Sequence, residues 1–243
     1  MEDNKVEQKA SQSFIEAAHE FENIERVLLY FRVSNTLINK NTSEALVNLK
    51  ALNEKMEVPY GFDEGKEKQT LEVDYYHSTL STMLYIKAID NFQNYFKDIL
   101  SEIMLCDPRV LKSQETETLE FILSFEDRES LVKAIAEKKI ESMFYQNITA
   151  IQKFFEKKVR VKIFQEKTEA IDLLIKQRNL AVHNRSRISK QLVKQFPDSD
   201  FVEGRYLDFN FDYVQKIVSA LYKMINELDT IFSTKYKIEQ RAY

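Results

Sequence analysis

The chain has 243 residues, of which only three are glycine, three proline and none tryptophan. Glycine and proline together make up about 2.5%, against an average near 12%, too little for the turns of a sandwich, barrel or doubly wound sheet. Neither glycine-rich phosphate loop can be assembled from Gly61, Gly65 and Gly204, and a net charge of −4 argues by itself against a nucleic-acid partner, so composition leaves a mostly helical chain with 44% apolar residues.

Met1 to Lys5 is polar and no apolar run reaches the roughly eighteen residues of a membrane span, so a soluble, cytoplasmic protein with no membrane partner is expected. Phe14, Ala17, Ala18, Phe21, Ile24, Leu28 and Phe31 recur at three and four, which predicts a first helix over about Val6 to Ile38, ended by Asn39 to Thr42. A second helix fits Ser43 to Met56, with Ser43 as N-cap and Ala45, Leu46, Leu49 and Leu52 as its apolar side. Pro59, Gly61 and Gly65 mark a loop. A long helix follows from about Leu71 to Cys106, carrying Leu80, Leu84, Tyr95, Ile99 and Ile103 and stopped by Asp107 and Pro108.

Shorter helices are predicted over Thr118 to Ser124, Arg128 to Phe144 and Ile148 to Val159, then a clearer one over Gln165 to His183. Pro197 to Gly204 reads as the second loop and Tyr206 to Phe211 alternates like an extended segment. The last helix covers Phe211 to Tyr236, with Val214, Ile217, Val218, Leu221, Ile225, Leu228 and Phe232 on one face. No internal repeat or low-complexity linker interrupts the chain, so one helical domain over 1–243 is expected, with 1–65 as an N-terminal helical part and 66–243 as the bundle.

Charge is unevenly spread. Between Gln152 and Lys194 the balance is +8, and elsewhere −12, which points to a local anionic ligand. Within that stretch the segment Gln177 to Asn184 stands out. At about 100° per residue, Ile171, Leu174, Ile175 and Val182 share one stripe of the helix, and Arg178 falls in the middle of it. A guanidinium aimed at an apolar face needs an acidic partner, a subunit interface or an anionic ligand. Asn179 and His183 are one turn apart on a neighbouring side, with Asp172 and Lys176, so an Arg, an Asn and a His converge at one helix end.

Arg178, Asn179 and His183 resemble the R-x-x-x-x-H signature of the HEPN superfamily, in which the residue after the Arg is polar and commonly Asn. The resemblance implies an all-α, HEPN-like helical bundle with long antiparallel helices, a break after the motif and a short irregular segment before the last helix. It is similar to standalone members that act as nucleases or toxins in microbial conflict systems. One subgroup carries a Tyr two residues after the His, where a partner enzyme modifies it; here Arg185 stands at that position.

What the resemblance implies is metal-independent cleavage of RNA, with no cofactor, by a homodimer whose two motifs form one composite site. Arg178 would hold the phosphate, His183 would take the proton from the 2′-OH, and Asn179 would orient His183 or donate to a phosphate oxygen. Lys176, Asn184, Arg185, Arg187 and Lys190 would bind substrate, with Lys194 adding to the basic follow-on. Phe196, Tyr206 and Tyr213 are the nearest aromatics for base stacking. A toxin or anti-phage role implies an antitoxin or defence-system partner. The alternative is a non-catalytic HEPN-like module that binds RNA or protein.

Other candidates read more plainly. His19, among Glu16, Glu20 and Glu22, is expected on the surface, and His77 in a core or interface. Cys106 excludes an internal disulfide and reads as a small buried side chain. No H-E-x-x-H and no pair of E-x-x-H motifs supports a metal centre. The basic run Lys153 to Lys162 is expected to be a solvated face.

Overall fold

The computed structural model describes residues 9–56, 65–66, 75–113, 116–144 and 148–242. Among these the chain is all-α, with nine helices and two strands of two residues each. The first strand, β1 (Lys9–Ala10), pairs antiparallel with β2 (Arg241–Ala242) and so joins the two ends of the described chain. Helix α1 (Gln12–Lys40) therefore starts later than periodicity suggests. Its start is set by Ser11, whose Oγ accepts from the Phe14 N–H at 3.0 Å. Helix α2 (Thr42–Met56) begins one residue ahead of Ser43, because the break is the single residue Asn41, whose carbonyl accepts from the Ala45 N–H.

The apolar face predicted for α1 is buried from Phe14 to Leu28, and Phe31 at its end is half-buried against the Phe211 ring, while Leu29, Tyr30, Val33 and Leu37 are exposed. On α2, Leu46 is buried and Leu52 is exposed. The loop expected at Pro59 to Gly65 lies outside the described residues except for Gly65, and so do residues 71–74 at the expected start of the next helix.

Helix α3 (Tyr75–Cys106) is the centre of the bundle. The Asp107 carboxylate then accepts from the Arg109 N–H at 3.1 Å and caps a short 3₁₀ turn, Pro108–Leu111. Cys106 is exposed, against expectation. By angle it continues the side of Ile99, but it is the last residue of the helix. Helices α4 (Leu119–Leu123) and α5 (Arg128–Phe144) follow, α4 capped by Thr118 and ended by Ser124. Then come α6 (Ile148–Phe154), continued by a π turn over Phe155–Val159, and α7 (Thr168–His183), preceded by a 3₁₀ turn, Gln165–Lys167.

Helix α8 (Lys190–Gln195) has no counterpart in the sequence reading. Six residues are too few for periodicity to register, although Ser189 accepts from the Leu192 N–H as an N-cap. Helix α9 (Phe211–Tyr236) has the bounds its apolar stripe predicts. Val214, Val218, Leu221, Ile225, Leu228 and Phe232 are buried along it.

Helix α3 packs against α1, α5, α7 and α9, and α1 also packs against α9. Buried apolar side chains from Ala10 to Ile238 form one connected cluster, rich in edge-to-face rings such as Phe96 against Phe155 and Phe164. One carboxylate sits inside it. Asp229 of α9 accepts from the Ser11 N–H at 3.2 Å, from the Ser11 hydroxyl and from the Tyr95 hydroxyl at 3.3 Å. Burial raises the Asp229 pKa despite these donors, and burial together with Asp229 raises that of Tyr95. The start of α1, the middle of α3 and the end of α9 are thus tied at one buried acceptor.

Candidate functional site

Helix α7 is fixed to α3 by its buried residues Ile171, Leu174 and Gln177. The Tyr85 hydroxyl of α3 lies 2.9 Å from the Leu174 carbonyl and 3.0 Å from Gln177 Oε1, and the Tyr213 hydroxyl of α9 reaches the same Oε1 at 3.3 Å. The buried polar residue of the motif segment is therefore Gln177. Val182, on the apolar stripe by angle, is exposed, although Leu180 and Ala181 in the same turn pack against the core. Arg178 is partly covered, with 23% of its side chain exposed.

With Gln177 turned inward, Lys176, Arg178, Asn179 and His183 open on one cleft of 640 Å³ between α3, α5, α6 and α7. Lining it from α3 are Asp90, Gln93, Asn94 and Lys97, which no motif singles out. Their spacing of three and four places them on one side of the helix, but Lys87, Asn91, Asp98 and Glu102 on the same helix are as polar, so the sequence does not single them out. Three cations (Lys97, Lys176 and Arg178) and two acids (Asp90 and Asp172) face the cleft beside His183.

The pairing within the cleft is specific. Arg178 Nε lies 2.7 Å from Asp90 Oδ1, so of the three solutions open to this guanidinium the fold supplies an internal carboxylate. The contact is ionic rather than a well-aligned hydrogen bond, and the buried Nε–H has no aligned acceptor. Arg178 NH1 donates to Asn179 Oδ1 at 3.1 Å, so Asn179 is engaged with Arg178. A guanidinium carries about five N–H donors, and these two partners do not exhaust it. Lys176 pairs with Asp172 at 3.0 Å across one helical turn, while Gln195 of α8 donates to the other Asp172 oxygen at 2.9 Å. His183 is exposed at the mouth.

The remaining predicted binding residues lie off this cleft. After His183 the chain turns through Arg185 and Ser186, both left-handed (φ 51° and 60°), a conformation that costs non-glycine residues energy. Asn184 closes the turn, with its Nδ2 donating to the Arg187 carbonyl at 2.7 Å, so its side chain is committed to the backbone. Arg185 and Arg187 are exposed on the segment that follows, and Lys190 is exposed at the start of α8. The basic run from Lys153 to Lys162 is a solvated face, as expected, and so is His19; the His77 side chain is outside those described. Among the described residues no three His, Cys, Asp or Glu side chains group as metal ligands, and no helix is long and apolar enough to cross a membrane.

No protein-family model, curated protein or solved structure matches the chain.

Proposed function

We propose that this chain is a metal-independent endoribonuclease of HEPN type. The observation that carries the reading is the gathering of Arg178, Asn179, His183 and two lysines, Lys97 and Lys176, around one open cleft. In the proposed reaction the neutral imidazole of His183 removes the proton from a ribose 2′-OH, and the 2′-oxygen bonds to the adjacent phosphorus. The P–O5′ bond breaks, and the 5′-oxygen takes up a proton. The products are a 2′,3′-cyclic phosphate and a 5′-OH. Arg178 offers its remaining N–H donors to the phosphoryl oxygens as negative charge builds on them. Asn179, through its bond to NH1, holds the guanidinium in orientation. DNA, which lacks the 2′-OH, would not be cut.

A homodimer with a composite site, and a toxin or anti-phage setting with an antitoxin or defence-system partner, remain part of the proposal on the resemblance alone. The Asp90 pair bears on the first of these, since Arg178 needs no second subunit to neutralise it. That same pair favours the second reading, a non-catalytic HEPN-like module that binds RNA or protein with this face.

Incubating the purified chain with structured RNA in EDTA separates the two readings. The enzyme reading expects cleavage that survives chelation, leaves cyclic phosphate ends, and falls about 10²- to 10⁴-fold in His183→Ala. Equal cleavage by wild type and His183→Ala refutes it, and binding without cleavage supports the module.

A further inference from the structure

A second feature adjoins the motif on the other side of α7. Residues 186–188 pair with 204–207: the Ile188 N–H donates to the Arg205 carbonyl at 2.8 Å, the Gly204 N–H to the Ile188 carbonyl at 2.9 Å, and the Leu207 N–H to the Ser186 carbonyl at 2.8 Å. Gly204, at φ +82°, is one of only three glycines in the chain and makes the turn into this ribbon. Alternation along it sends Ile188 and Leu207 into the core and leaves their neighbours Arg187 and Tyr206 side by side on the outer face.

There the Arg187 guanidinium donates to the Tyr206 hydroxyl at 2.9 Å, and its central carbon lies 5.3 Å from the ring centroid. Tyr206 is 60% exposed. The arginine hydrogen bond, with help from the nearby Arg185 charge, lowers the phenol pKa. Arg185, close enough for its charge to act on the phenol, is also exposed. Of the three aromatics nearest the motif, Phe196 is buried and Tyr213 is half-buried against Gln177, so Tyr206 alone offers a ring to solvent. Tyr206 and Arg205 also border a depression of 410 Å³ with Phe201, Val202, Asp208 and Asn210.

We infer that the Arg187–Tyr206 pair is a stacking clamp for an unpaired base of single-stranded RNA, with Arg185 holding the adjoining phosphate. An exposed tyrosine beside a guanidinium, on a backbone fixed by a ladder, offers a flat face for a base and donors for its phosphate. A base stacked in a duplex cannot reach such a face, so the clamp selects single strands. Along the chain the ribbon starts within a few residues of His183. This inference deepens the RNA-cleaving reading and takes its ligand class from it.

The test measures binding of a dye-labelled, 2′-O-methylated RNA, which cannot be cleaved by 2′-OH attack, by fluorescence anisotropy at one fixed salt concentration. Tyr206→Ala is expected to weaken single-strand binding about 10-fold or more, Tyr206→Phe to stay within about twofold, and both to leave binding of a duplex of equal length unchanged. Arg187→Gln is expected to weaken binding of the single strand and of inorganic polyphosphate alike. Equal binding by wild type and Tyr206→Ala overturns the clamp, as does a loss of the same size on the duplex. Absence of wild-type binding to the single strand overturns it too. Because the probe is uncleavable, a clamp that behaves as expected in a chain that cuts no RNA would refute the nuclease and leave the clamp standing.

Discussion

Asp229→Ala removes the buried acceptor shared by α1, α3 and α9. Ser11 and Tyr95 are both buried, and the substitution strips an acceptor from the Ser11 N–H, the Ser11 hydroxyl and the Tyr95 hydroxyl. A buried donor left without a partner costs about 1–3 kcal/mol. The Ser11 hydroxyl can turn to another acceptor, so two orphaned donors at the low end of that range, with partial relaxation, give about 2–4 kcal/mol of destabilisation. In a domain of this size each kcal/mol moves the melting temperature by roughly 2–4 °C, so the variant should melt roughly 4–16 °C lower.

The pH dependence gives a sharper check. Burial raises the folded-state pKa of Asp229 above its unfolded value, so folding favours the protonated carboxyl. The stabilisation linked to that proton is complete below the unfolded pKa, about 3.9, and is lost as pH rises through the raised folded value. The stability gap between wild type and Asp229→Ala should therefore be wider near pH 4.5 than at pH 8. Urea unfolding of both proteins at the two pH values measures it, and charges common to both cancel in the difference. A gap below about 1 kcal/mol at both values, or one that widens with pH, would refute the reasoning.

Two further outcomes follow from the cleft and from the end of α3. Asp90→Asn removes the competitor for the Arg178 guanidinium. Both side chains are partly exposed, so folding stability should change by less than about 1 kcal/mol. Uncleavable RNA should bind more tightly and with a steeper salt dependence, the slope of log K against log salt growing by about one; weaker binding, or an unchanged slope, would show that Asp90 positions Arg178 for its ligand. Cys106, the single cysteine, is exposed and should be alkylated stoichiometrically in the native state. Partial burial first, and the nearby Glu102 charge second, raise its thiol pKa, so the labelling rate should climb steeply with pH and be slower at neutrality than that of a model thiol; mass spectrometry after timed quenching reads the rate.

The sequence legibly carries the helices whose faces repeat over several turns. The bounds of α9 follow from it directly, and so does the stop at Asp107 and Pro108, because periodicity and breakers are local properties; those of α5 coincide with the expected ones although its stripe is less regular. Arg178, Asn179 and His183 are legible for the same reason, as residues spaced along one helix. The start of α1 is less so. Ser11 is a good N-cap on its own, but residues 9–10 become a strand only because residues 241–242 lie beside them. Cys106 and Val182 are exposed at helix ends for a related reason, since periodicity gives the side a residue faces and not whether a neighbour packs on it.

What tertiary structure alone decided is the partner of each polar group. Asp90 reaches Arg178 because α3 and α7 pack side by side, and Gln177, not Arg178, is the residue that packing buries. Tyr206 stands out from seventeen phenylalanines and twelve tyrosines once the ribbon pairs it with Arg187 and turns it outward. Asp229 finds Ser11 across 218 residues. Such contacts have no period to read, since they depend on which helix faces meet. The chain's sparing use of glycine takes on meaning in the same way: composition marked Gly204 as a loop residue, and the fold makes it the turn that sets Tyr206 beside Arg187.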